Sequence, residues 1–313
     1  MLGVMLALAP AYATGPNDQT DLIRFTFTEY HMGISARIVL YAKSEEDAQR
    51  AGRAAFERIA DLESKMSDYR PDSEVMRLCQ RPGEAVKVSP ELLTVLRRAD
   101  AVSRQTNGGF DVTVGPLIQL WRQARKDGKL PSPQKISDAK KAVGWRMIAI
   151  DGRAGTVKLQ RPGMRIDLGG IAKGYAGDEA LRVMRKEGIS RVLIEMGGDI
   201  VLGDAPPGTS GWKISVPNAA SPGFPAEMTI KNCAISTSGD TEQFVEIGGK
   251  RYSHIVDPKT GYGLTSRVQA TVIAPDGLTS DPLSTAMTML SEPARTSLIR
   301  NYRTSKVFVK IAL

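Results

Sequence analysis

Apolar and polar positions change period along the chain, and each change marks an element. Leu22 to Tyr30 and Ile34 to Tyr41 are β-rich runs separated by His31-Met32-Gly33, which predicts an antiparallel pair. Ser44 stands three residues before Asp47, and Ala48, Ala51, Ala55, Ile59, Leu62 and Met66 then keep helical spacing. That helix ends in the polar turn Ser67-Asp68-Tyr69-Arg70-Pro71-Asp72. Ser89-Pro90 places a capping residue before proline at the first helical position, and the helix runs to about Thr106, stopped by Asn107-Gly108-Gly109. From Arg122 to Lys141 the chain is basic, contains proline and shows no apolar period, so a surface excursion is expected.

Beyond Met147 the runs shorten. Met147 to Ile150 and Thr156 to Leu159 enclose Asp151-Gly152 and predict a hairpin. One long helix follows from Ile171 to about Glu187, with Ile171, Tyr175, Leu181 and Met184 on its apolar side and Gly188 as its stop. Strands are expected near Val192-Ile194, Trp212-Val216, Met228-Ala234, Phe244-Ile247 and Val268-Ile273. Helices near Pro282-Leu290 and Ala294-Tyr302 and a strand at Lys306-Ile311 close the chain. Strands and helices mix without strict alternation, which disfavours a doubly wound parallel sheet and gives an α+β class, with mixed, largely antiparallel sheets and packed helices. One two-lobed domain over 20–313 is expected.

Of 313 residues, 42% are hydrophobic and 24% charged, ordinary globular usage that excludes a disordered, collagenous or coiled-coil chain. The net charge of +8 favours an anionic partner, but the cations are scattered and aromatics are 6%, so no nucleic-acid platform stands out. The apolar Met1-Ala9 run and the small-x-small site Ala11-Tyr12-Ala13 point to an export signal over 1–13, with a strand-forming terminus as the alternative. The run is too short to span a bilayer. Cys79 and Cys233 lack metal-site spacing and leave one long-range disulfide open.

Five clusters carry candidate chemistry. In Asp167-Leu168-Gly169-Gly170-Ile171-Ala172-Lys173, a carboxylate, two glycines and a helix start suit a phosphate group, with Lys173 as a point charge. Gly170 could instead offer its carbonyl to a hard cation, and a plain tight turn competes with both. Gly197-Gly198 after a buried strand reads as a bulge or close backbone packing. Ser236-Thr237-Ser238-Gly239 supplies hydroxyls, but no G-x-S-x-G elbow makes them a hydrolase. His254, amid Tyr252, Ser253 and Asp257, suits a general acid/base or a phosphate contact, with a structural hydrogen-bonded histidine as the commoner role taken alone. Asp281 and Thr285 share a helix face and could hold magnesium, although Pro282 at a first helical position would make Asp281 the N-cap, the preferred role on spacing alone.

In this order the clusters resemble the ApbE family of FAD:protein FMN transferases. The resemblance runs from Met32 to Thr285 through Met32-Gly33, Met66-Ser67-Asp68-Tyr69-Arg70-Pro71-Asp72-Ser73, Phe110-Asp111-Val112-Thr113-Val114-Gly115-Pro116-Leu117, the Asp167-Lys173 cluster, Gly197-Gly198-Asp199, His254-Gly261 and Asp281-Thr285. Ile34 and Pro282 depart from the usual pattern. The resemblance implies two lobes around a flavin cleft. It implies FAD contacts from Met32, Tyr69, Phe110, Asp111, Val112, Asp167, Lys173 and Ile255. It further implies magnesium held by the Gly170 carbonyl, Asp281 and Thr285, with Ser284 assisting, and catalytic roles for Asp281 and His254.

The implied reaction moves FMN from FAD to a Thr or Ser hydroxyl of an acceptor flavoprotein and releases AMP. Such acceptors include subunits of membrane redox complexes, and the implied location is periplasmic or exported, at the outer face of the inner membrane. A magnesium-dependent FAD pyrophosphatase and a non-catalytic flavin carrier use the same residues and remain alternatives. The Arg122-Lys141 charge is not explained by FAD.

Overall fold

The computed structural model describes residues 21–215, 227–239 and 244–312, so the expected export signal lies outside the described residues. Strands β1 (Ile23–His31) and β2 (Ile34–Ala42) pair in register from Ile23↔Ala42 to His31↔Ile34. Met32 (φ 51°) and Gly33 (φ 76°) form the two-residue turn, the positive-φ pattern that matches strand twist. Helix α1 (Glu45–Met66) begins where Ser44 Oγ accepts the Asp47 N–H, and its predicted apolar stripe is buried. Next come α2 (Glu74–Cys79), the short β3 (Val86–Lys87) and α3 (Pro90–Gln105), which Ser89 caps by accepting the Leu92 N–H.

The expected surface excursion is instead two helices, α4 (Gly115–Asp127) and α5 (Pro133–Lys140). Leu117, Trp121 and Ala124 keep helical spacing and are buried, as is Ile136. A window opening at Arg122 cuts that stripe in two, which hides it from the pattern. The hairpin β4 (Ile148–Asp151) and β5 (Thr156–Leu159) forms as expected and adds β3 at its edge.

After α6 (Ala172–Lys186), β6 (Val192–Met196) turns directly into β7 (Asp199–Leu202). Gly197 and Gly198 are therefore the hairpin turn rather than a bulge. Gly197 has φ 66°, and a Cβ on Gly198 would lie 2.6 Å from the Thr237 carbonyl oxygen, so the expected close packing is present. The run expected as one strand, Met228-Ala234, is two: β9 (Glu227–Ile230), paired with β8 (Trp212–Ser215), and β10 (Cys233–Ser238). Asn232, at φ 51°, breaks it. The remaining elements are β11 (Phe244–Ile247), β12 (Lys250–Ser253), β13 (Arg267–Ala274), α7 (Gly277–Met289), α8 (Glu292–Ile299) and β14 (Lys306–Ala312).

Helix α7 starts earlier than Pro282 suggested. Asp276 is its cap, accepting the Thr279 N–H at 2.8 Å, and Asp281 and Pro282 lie inside it. Proline removes the donor that would reach the Leu278 carbonyl. Arg98 Nε donates there instead, at 3.4 Å.

Among the described residues, seven strands form an antiparallel sheet in the order β1-β2-β6-β7-β10-β13-β14. Alternation along β2 divides its two faces. Ile38 and Leu40 face the large core built with α1, α3, α6 and α7, whereas Val39 joins Leu193, Leu202, Trp212, Ile214 and Ile235 under the β8-β9 pair. A third cluster unites Leu117, Trp121 and Ile136 with Tyr252 and Val256. Cys79 and Cys233 are free thiols on opposite sides of this sheet, so no disulfide joins them. No helix among the described residues is long and apolar enough to cross a membrane.

Candidate active site

Helices α6 and α7 cross with no side chain between them at Gly174 and Gly277. A Cβ on either glycine would lie 2.2 Å from the other's carbonyl oxygen. This crossing brings together groups a hundred residues apart. Asp281 Oδ2 accepts the Gly174 N–H at 3.0 Å, and Lys173 Nζ lies 3.7 Å from that same oxygen and 2.5 Å from Asp199 Oδ2. Asp199, at the start of β7, and Asp281 are both buried. One ammonium therefore serves two buried carboxylates.

The electrostatic consequence is uneven. Burial, reinforced by Asp199, pushes the Asp281 carboxyl up to about 7 despite Lys173. Burial pulls Lys173 down, but Asp199 and Asp281 outweigh it and hold the ammonium above the usual lysine range. Behind them Asp178 accepts the N–H groups of Gly277 (2.7 Å) and Leu278 (2.8 Å), anchoring the start of α7 to α6. Burial pushes this carboxyl up to about 7 as well.

Hydroxyls line the adjoining face of α7. Ser238 Oγ lies 2.7 Å from Ser284 Oγ and 3.1 Å from Thr285 Oγ1, and Ser284 Oγ also donates to the Asp281 carbonyl at 2.9 Å. Gly170 packs against Thr285: a Cβ there would sit 3.0 Å from Thr285 Oγ1 and 3.4 Å from Phe110 Cε2. Asp281, Thr285, Ser284 and Gly170 are thus brought together. Their hard oxygens, beside a pair of buried carboxylates with only one ammonium between them, fit a divalent cation such as magnesium. Among the described residues no three His, Cys, Asp or Glu side chains converge on one point, so such a site draws on hydroxyl and carbonyl oxygens.

Asp167 links this cluster to a second one. Its N–H donates to the Val112 carbonyl at 2.8 Å, and Oδ1 accepts the Gly169 N–H at 2.8 Å. Oδ2 faces Arg122 Nη2 at 3.2 Å, and Arg122 Nη1 bonds Asp68 Oδ2 at 2.5 Å. Burial first, and Asp68 second, raise the Asp167 carboxyl above the ordinary range. The Arg122 guanidinium also lies 4.0 Å over the ring of Tyr69, which is 74% exposed. Arg122 escaped sequence reasoning because nothing in its local window showed that α4 turns it toward Asp68 and Asp167.

The other expected residues take separate places. Phe110 and Val112 are buried, and Phe110 reaches Gly170. Asp111 spends its carboxylate on the fold: Oδ1 accepts the Thr113 N–H (2.8 Å) and hydroxyl (2.7 Å), and Oδ2 accepts the Trp145 N–H (2.8 Å). Met32 stands at the β1-β2 turn, half-buried against the large core. His254 and Ile255 lie half-buried in a loop after β12, pinned by Leu264 N–H to the Ile255 carbonyl (2.9 Å) and Gly261 N–H to the Asp257 carbonyl (2.8 Å). Trp121 Nε1 donates to the Gly261 carbonyl at 2.9 Å, seating this loop on α4.

The ApbE family profile matches residues 32–309. FAD:protein FMN transferase of Salmonella typhimurium is 31% identical over 265 residues, covering 81% of this chain and 76% of that protein. The Vibrio cholerae FAD:protein FMN transferase is 33% identical over 241 residues, covering 75% and 71%. The crystal structure of the ApbE protein of Thermotoga maritima superposes with a TM-score of 0.82 at 30% identity, covering 92% of this chain and 94% of that one. The flavin transferase ApbE of Vibrio cholerae gives 0.82 at 28% identity over 93% of each chain. With the profile spanning both the crossing of α6 and α7 and the Tyr69-Asp167 cluster, the chain belongs to the ApbE family.

Proposed function

We propose that this protein transfers FMN from FAD to a Thr or Ser hydroxyl of an acceptor flavoprotein. The observation that carries this is the half-buried Lys173 bridging buried Asp199 and Asp281 at the start of α6, where a helix N-terminus and an ammonium meet a hard-oxygen face. Phosphoryl-group transfer depends on positioning and charge neutralisation, and the chain needs no side-chain nucleophile of its own. Tyr69, Phe110, Val112, Asp167, Ile255 and Met32 are the proposed contacts to FAD. Asp111 shapes the loop that bears Phe110 and Val112.

In the step itself the acceptor oxygen attacks the phosphorus of the FMN half, the bond to the AMP phosphate breaks, and AMP leaves. His254 takes the hydroxyl proton and passes it to solvent. Asp281, Thr285 and the Gly170 carbonyl, with Ser284 assisting, would hold magnesium, which would supply charge neutralisation at the diphosphate. Lys173 is the proposed point charge for the diphosphate.

The apolar run over Met1-Ala9 and the site at Ala11-Tyr12-Ala13 support an exported, periplasmic location, with a membrane redox subunit as acceptor. Incubation with FAD, magnesium and a Thr-bearing acceptor is expected to add the mass of FMN to the acceptor. Free FMN with no adduct would show a pyrophosphatase instead, and unconsumed FAD a carrier.

A further inference from the structure

Part of the charge that FAD leaves unexplained lies on α4, α5 and the turn between them. Between 122 and 141 the chain carries seven Lys and Arg but only Asp127 and Asp138 as acids. Arg122 is consumed by Asp68 and Asp167, and Lys141 by Asp138. Asp127 accepts from Gln123. Arg125, Lys126, Lys129, Lys135 and Lys140 form no ion pair among the described residues. Lys126, Lys129 and Lys135 are exposed, and Leu130, 42% exposed, stands among them as an apolar centre.

This flank touches the site twice. Through Arg122, α4 reaches Asp167 and Tyr69, and through Trp121 and Ile136 it carries the loop that bears His254 and Ile255. A macromolecule that reaches Tyr69 or the His254 loop has α4 and α5 beside it. An exposed group of cations around an apolar residue attracts the opposite charge and steers its approach.

We infer that the α4-α5 flank is the docking surface for the acceptor protein, and that it selects an acceptor whose surface around the modified Thr or Ser is acidic. This rests on the flavin-transfer function proposed above. The cations act on encounter and alignment, outside the phosphate chemistry, so they alter the acceptor's KM and leave FAD binding alone.

The test uses the full chain and a K126E/K129E/K135E variant. The probes are a labelled peptide with Asp and Glu flanking a central Thr, the same peptide with Ser and Gln flanks, and phosphatidylglycerol vesicles. Wild type is expected to bind the acidic peptide and to lose it as salt rises. The variant is expected to bind it about tenfold or more weakly, on the scale by which steering charges change association. Quenching of FAD fluorescence is expected to be equal in both proteins. Equal binding of acidic and neutral peptides by wild type, or equal binding of the acidic peptide by both proteins, overturns the inference. So does charge-dependent binding to vesicles without binding to the peptide, which would make the flank a membrane surface. Failure of wild type to bind FAD would instead strike the proposed function, separating the two.

Discussion

Lys173 divides one positive charge between two buried carboxylates, so substitutions around it separate charge from shape. Asp281→Asn removes the carboxylate of the proposed cation site while keeping the side-chain volume. It is expected to cost about a hundredfold or more in flavin transfer and little in thermal stability, because burial raises the pKa of this carboxyl and the native fold thereby disfavours its charge. Lys173→Met leaves Asp199 and Asp281 buried without their cation, and chemical denaturation should show a loss of about 3–5 kcal/mol. Asp111 behaves in the opposite way to Asp281. Asp111→Ala orphans the Thr113 and Trp145 N–H groups, at about 1–3 kcal/mol each. Its defect should appear in the melting temperature first, with FAD still bound well below that temperature. Asp111 shows what a motif conceals: its place beside Phe110 was legible, whereas the direction of its carboxylate was not.

The elements differ in how local their causes are. Ser44 and Ser89 announced α1 and α3 because a cap acts within one turn. Pro282 predicts a later start for α7 than its cap Asp276 gives, and Arg98 donates to the Leu278 carbonyl that the proline leaves without its helical donor. The α6-α7 crossing rests on Gly174 and Gly277 at its centre and Asp178 at its edge. Gly174→Ala should cost about 1–3 kcal/mol by overpacking and reduce transfer further by moving Lys173 from Asp281. For Asp178 the sign of the pH effect follows from its raised pKa. The unfolded chain loses this proton near 3.8, whereas the native carboxyl keeps it to about 7. Its stabilising contribution is therefore full below about pH 4 and is lost as pH rises through 7. In Asp178→Asn the fall in urea midpoint between pH 4 and 7 should be shallower than in wild type. Identical slopes would reject this account.

Across the whole molecule, the three apolar clusters assign different work to different parts. The large core joins the sheet to α1, α3, α6 and α7, and so fixes Lys173 against Asp281. The small cluster around Trp121 fixes the loop of His254 and Ile255. Trp121→Ala should therefore speed hydrogen exchange over residues 252–264 before it affects β2 or α1, and transfer should fall while the large core still melts cooperatively.

Local periodicity and capping determined the α+β class, most helices and the hairpin at 148–159. The ordered set of motifs determined the family. These are properties of neighbours within a few positions, which a linear chain displays directly. Tertiary structure alone decided the strand order β1-β2-β6-β7-β10-β13-β14, the meeting of Lys173, Asp199 and Asp281, and the turning of Arg122 onto Tyr69. Each depends on which distant segments share a buried space. Burial and pairing there, rather than the identity of the residues, set both the charge balance of the site and the face it offers to a partner.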